Sequence, residues 1–247
     1  MRKIFGALLV FAALPVASGN AADMPLKAPP VAAAVYNWTG FYLGGEVGGG
    51  WARSTITNVD PSGGFPAGFV NNPVSTSGIL GGGYAGYNYQ FNNFVIGIDG
   101  YYDAANLTGS ATDVSPTTGN ISVKNERMKW DSAITGRLGI ANNNWLFFMK
   151  GGWAWAGFSS IGATTTAGGA AVGSGRSSDT RNGGTVGVGV EYGFTPHWSA
   201  KLEYDYVKFQ TSNFNSSNVS AAGAPSTPAK TASSDLNELK AGVAYRF

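Results

Sequence analysis

Between Trp38 and Phe247 the chain repeats one pattern, a large apolar or aromatic residue at alternate positions with polar or small residues between. A two-residue period is the mark of a β-strand with two unlike faces. It predicts strands near 38–51, 78–90, 94–104, 130–141, 145–159, 183–194, 198–209 and 236–247. Split by parity, the segments with several charges keep them on one side. Asp99 and Asp103 oppose Phe94, Ile96, Ile98 and Tyr102, and Asp131 and Arg137 oppose Trp130, Ile134, Leu138 and Ile140. Lys201, Glu203 and Asp205 oppose Trp198, Leu202, Tyr204 and Tyr206. Glu238, Lys240 and Arg246 oppose Leu239, Val243, Tyr245 and Phe247. Glu46, Lys150 and Glu191 lie on the polar side of their segments, although Phe148 and Phe158 share the Lys150 side.

An apolar face this large would drive aggregation in water. Facing lipid, it is what the solvent requires. Charged residues make up only 12% of the chain and aromatics 13%, so a soluble surface is poorly supplied. After the N-terminal segment no apolar run is long enough for a membrane helix. A membrane location therefore requires a closed barrel, which pairs every backbone group that hydrocarbon would leave unpaired.

The connections point the same way. Phe91–Asn93, Asn142–Asn144 and Thr195–His197 are tight, built from residues that favour turns. The stretches near 52–77, 105–129, 160–182 and 210–235 are long and rich in Ser, Thr, Gly, Asn and Pro. Long loops at one end and short turns at the other characterise outer-membrane barrels. The expected fold is all-β, an eight-stranded antiparallel up-and-down transmembrane β-barrel with both termini in the periplasm.

Arg2 and Lys3 precede an apolar run from Ile4 to Ala17, followed by the small residues Ser18, Gly19, Ala21 and Ala22. This is the layout of a cleaved secretory signal. Cleavage after Ala21 fits better than after Ala22, because it places Gly19 two positions before the last residue removed. The organisation expected is a signal peptide over 1–21, a proline-containing periplasmic tail over 22–35 and the barrel over 36–247.

The stretch Tyr36-Asn37-Trp38-Thr39-Gly40-Phe41-Tyr42-Leu43-Gly44-Gly45 resembles the opening of small porin-like β-barrels of alphaproteobacteria, the outer-membrane immunogenic proteins. Gly86–Gln90, Gly136–Gly139, Lys201–Tyr204 and Ala244–Phe247 echo the same family. The resemblance implies an outer-membrane location and an OmpA-like barrel. It also implies that Val243, Tyr245 and Phe247, sharing one parity, form the signal read by the barrel-assembly machinery.

An eight-stranded barrel has an interior that side chains just fill. Glu46, Asp99, Asp131, Arg137, Lys150, Glu191, Lys201, Glu203, Lys240 and Arg246 are expected to meet there as a charge network that fixes register and plugs the lumen, since buried charges must be paired. A narrow porin for small solutes is the alternative, and a loop-mediated adhesin or ligand-binding protein is the second. No catalytic, cofactor or metal site is expected. Cysteine is absent, and the one histidine, His197, falls in a short turn on the periplasmic side. Gly81–Gly86 matches G-x-G-x-x-G but lies inside a strand, without the following helix that a dinucleotide site needs. The formal charge of +2 gives no basic stripe for nucleic acid. The expected partners are outer-membrane lipid and lipopolysaccharide, the latter through Lys124, Arg127, Lys129, Arg176 or Arg181, and the assembly machinery.

Overall fold

The computed structural model describes residues 36–247; the expected signal (1–21) and the expected tail (22–35) lie outside the described residues. Seven long strands follow one another as β1 (Gly40–Asn58), β2 (Val74–Phe91), β3 (Phe94–Val114), β4 (Ile121–Asn142), β5 (Trp145–Thr165), β6 (Ala171–Gly193) and β7 (Trp198–Phe209). Short strands β8 (Ser212–Asn215), β9 (Ser217–Ser220) and β10 (Pro225–Ser226) lead into the last long strand, β11 (Ala229–Arg246). Each long strand pairs antiparallel with its neighbour in sequence, and β11 pairs with both β7 and β1. The eight long strands thus form a closed ring with no free edge. Among the described residues no helix is long and apolar enough to cross a membrane.

Two of the short turns work because asparagine tolerates left-handed backbone. Asn92 and Asn143, at φ 53 and 54, let β2 return into β3 and β4 into β5 with two intervening residues. At the third turn His197 Nδ1 lies 2.9 Å from the Arg246 carbonyl oxygen, and its ring stacks on Tyr245. That histidine therefore fastens the turn to β11.

The outer face sets where the lipid lies. On β1 the outward residues run Phe41, Leu43, Val47 and Trp51, then turn polar at Arg53 and Thr55. On β4 they run Ile140, Leu138, Ile134 and Trp130, then Lys129 and Arg127. At a rise of about 3.3 Å per residue and a tilt near 40°, Phe41 to Trp51 spans roughly 25 Å, the height of an outer-membrane apolar band. Aromatic rings mark both borders, with Phe41 against Tyr87 and Trp145 against Tyr192 at the short-turn end, and Tyr102 against Trp130 at the other.

Three sequence expectations need correction. The regions assigned to long loops are largely strand, since β3 continues to Val114, β4 begins at Ile121, β5 reaches Thr165 and β6 begins at Ala171. Beyond the apolar band the outer face meets water, so these extensions carry no apolar alternation to betray them. Only 59–73, 115–120, 166–170 and the β7–β11 connection remain outside the long strands at that end. Trp38, expected to open β1, instead precedes it and is fully buried. Lys124 and Arg181, expected in solvent-exposed loops, are buried.

Candidate functional site: the filled lumen

The inward faces build the lumen in layers from the short-turn end. Tyr36 and Trp38 fold under the barrel, where Trp38 N donates to Gln90 Oε1 at 2.9 Å. Arg246 Nη1 donates to the Trp38 carbonyl at 2.6 Å. Above it Glu191 joins two guanidiniums, Arg137 at 3.0 Å and Arg246 at 3.6 Å, and accepts a hydrogen bond from Ser199 Oγ at 2.6 Å. Arg137 also lies 3.5 Å from the Phe148 ring centre. Phe148 breaks the charge parity of β5 because its ring belongs inside, under a cation.

The middle layer gathers three lysines. Lys201 Nζ pairs with Glu46 at 2.7 Å, and Lys150 Nζ with Glu203 at 2.7 Å and Asp205 at 3.1 Å. Lys240 Nζ is reached by Asp205 at 3.0 Å, Glu238 at 3.4 Å, Asp103 at 3.5 Å and Glu46 at 3.6 Å. Each ammonium also rests near a tyrosine: Lys201 lies 3.7 Å from the Tyr84 ring centre, and Lys240 and Lys150 lie 3.4 and 4.9 Å from that of Tyr101. Glycines in the wall make room for these rings. A Cβ at Gly44 would collide with the Tyr84 ring, and one at Gly86 with the Tyr42 hydroxyl.

A collar of Leu80, Leu107, Met128, Phe158, Val207, Phe209 and Leu236 lies next. Above it Arg181, 1% exposed, reaches Asp179 at 2.7 Å and Glu126 at 3.3 Å, and donates to the hydroxyls of Ser54 and Ser234. Its guanidinium lies 4.0 Å from the Phe158 ring centre.

All ten expected lumen residues are therefore buried within the wall, but not all are ion-paired. Asp99 instead accepts hydrogen bonds from Tyr42 Oη at 3.4 Å and from Thr135 Oγ1. Asp131 has no ion-pair partner among the described residues. Parity alone also points to Asp103, Asp205 and Glu238. It misses Glu126, because a register shift between Met128 and Trp130 moves the inward set of β4 from odd to even positions. At the other end of the barrel wall, Val243 and Phe247 are exposed on the outer face, with Tyr245 between them and stacked edge-on to Phe247.

A closed ring, an apolar belt roughly 25 Å tall between aromatic borders and a charge-filled interior define an integral β-barrel protein of the bacterial outer membrane. Residues 9–247 match the family described as outer membrane protein beta-barrel domain, and the chain belongs to that family. It is 31% identical over 209 residues to the 31 kDa outer-membrane immunogenic protein of Brucella melitensis, covering 81% of this chain and 84% of that one. It is 27% identical over 211 residues to a 22 kDa outer membrane protein of Rhizobium leguminosarum, covering 85% and 79%. Among solved structures it resembles the outer membrane protease OmpT of Escherichia coli, with a TM-score of 0.54 over 87% of this chain and 99% of that one. At 12% identity that likeness is one of fold.

Proposed function

We propose that this protein is a non-enzymatic scaffold of the outer membrane, closed to steady conduction, that holds a tall rim of extended strands at the cell surface. The carrying observation is Lys240, fully buried, with four carboxylates within 3.6 Å and the Tyr101 ring against it. Arg137 below and Arg181 above form further cross-lumen ties. Such bonds would have to break for an ion to pass. Single-channel recording of the purified barrel in a planar bilayer tests this reading. Only rare, small currents are expected, and steady large openings would overturn it.

On the partner side, Arg127 and Lys129 point outward just beyond Trp130, where lipopolysaccharide phosphates would meet them, whereas Lys124 and Arg181 face inward, away from that surface. Replacing both outward residues by glutamine should reduce the melting-temperature gain that added lipopolysaccharide gives. The outward column of Val243, Tyr245 and Phe247 fits recognition by the assembly machinery during insertion.

A further inference from the structure

Beyond the Arg181 layer the barrel mouth opens into a cavity of about 290 Å³ between the upper ends of β1, β4, β5 and β6 and the β8–β10 segment. Half of its lining residues are serine, threonine or asparagine, with the rings of Phe65 and Phe214 among the rest. Some of these groups hold one another in place: Asn218 Nδ2 donates to Ser62 Oγ at 2.8 Å, and Ser216 Oγ to Asn218 Oδ1 at 2.8 Å.

The charge is unbalanced. Lys124 and Lys230 line the cavity, and among the described residues no Asp or Glu does. Lys124 pairs with Asp113, which lies behind it at 3.2 Å. Lys230 has no ion-pair partner among the described residues, and the Lys124 charge acts against its own. Lys124 is thus held by Asp113, with Glu126 acting on it from the Arg181 layer, while Lys230 keeps a partly desolvated ammonium with no ion-pair partner among the described residues, an arrangement that an incoming anion would relieve. A bare inorganic anion would satisfy the charge but leave most of the cavity and its hydroxyl wall unused. A hydrocarbon ligand would strand the hydroxyls and amides.

We propose that this mouth cavity binds a hexose-sized sugar bearing one acidic group, its carboxylate or phosphate set between Lys230 and Lys124 and its hydroxyls against the serine and asparagine wall. The same chemistry is offered by a free sugar acid and by the acidic end residue of a glycan.

Titration calorimetry on the folded barrel in detergent at pH 7 tests it, with glucuronate, glucose 6-phosphate, glucose and inorganic phosphate as probes. The acidic sugars should bind at least tenfold more tightly than glucose or phosphate. Lys230→Met should weaken them at least tenfold, while Lys208→Met, on the outer wall, should change nothing. Should Lys230→Met fail to fold, acetylation of Lys230 in the unaltered protein, read by mass spectrometry, should slow when glucuronate is added and not when glucose is. A glucuronate-ended oligosaccharide that binds more tightly than free glucuronate supports the site as a reader of glycan ends, and the reverse supports a site for free sugar acids. Equal binding of phosphate and glucose 6-phosphate, equal binding of glucose, or no saturable binding of any probe would overturn the proposal.

Discussion

The guanidinium of Arg246, near the end of β11, hydrogen-bonds the backbone carbonyl of Trp38 at 2.6 Å, so the segment that precedes the first strand is tied to the last. This contact seats the Trp38 ring inside the short-turn end, and the same guanidinium approaches Glu191. Arg246→Ala should therefore free the Tyr36–Thr39 segment and leave Glu191 with Arg137 as its single cation among the described residues. Breaking a buried pair costs about 3–5 kcal/mol. The readouts are a lower urea midpoint and a red shift of tryptophan emission before global unfolding. An unchanged spectrum would show that Trp38 is held by other means.

Lys240 should be the most sensitive single position in the lumen. Lys240→Met leaves Glu46, Asp103, Asp205 and Glu238 crowded without their shared cation, and a loss of about 3–5 kcal/mol is expected from uncompensated buried charge. Removing a carboxylate as well, in Lys240→Met with Glu238→Gln, should restore part of that loss. Urea unfolding of the two variants, followed by gel mobility without boiling, gives the comparison. A double variant weaker than the single one by the full cost of Glu238→Gln would mean that the two residues are not coupled.

How far the sequence carries depends on what solvent surrounds each residue. Inside the membrane the outer face must be apolar and the charges must turn inward, so Glu46, Lys150, Lys201, Glu203 and Lys240 could be placed by parity. Past Trp130 and Trp51 the outer face turns polar, and above the apolar collar the inner face is largely polar too. There Arg181 and Glu126 look like loop residues, though they form the upper tie across the lumen. The shift at Lys129 would in any case defeat a single parity for β4. Of the tyrosines beside the lysines, Tyr101 is marked inward only by sharing the parity of Asp99 and Asp103, and Tyr84, on a strand without charges, carries no such marker.

That contrast can be checked on whole cells. Thr180 is exposed on the outer face of β6, and its neighbour Arg181 is 1% exposed within the lumen. A cysteine replacing Thr180 should react with a membrane-impermeant maleimide at least tenfold faster than one replacing Ser54, which is buried opposite Arg181. Equal rates would indicate that 171–182 is a solvated loop, as its composition suggests, and not a strand of the wall.

Lys230 gives a prediction in pH. Burial, then the nearby charge of Lys124, pushes its ammonium down from 10.5 to about 8, and Asp113 offsets only part of this. These are the charged groups that face it, and all lie beyond the membrane band. A base with a depressed folded-state pKa destabilises the fold while it stays protonated. Below about pH 8 both folded and unfolded chains hold the proton, so the penalty is constant. Between about 8 and 10.5 the unfolded chain still binds a proton that the folded one has released, so stability should rise with pH across that window. Other lysines and tyrosines also begin to titrate there. The quantity to measure is therefore the difference in urea midpoint between the natural chain and Lys230→Met. The natural chain should gain on the variant from pH 8 upward and level off near 10.5. A difference that stays flat across the window would place the Lys230 ammonium in open solvent, with its ordinary pKa.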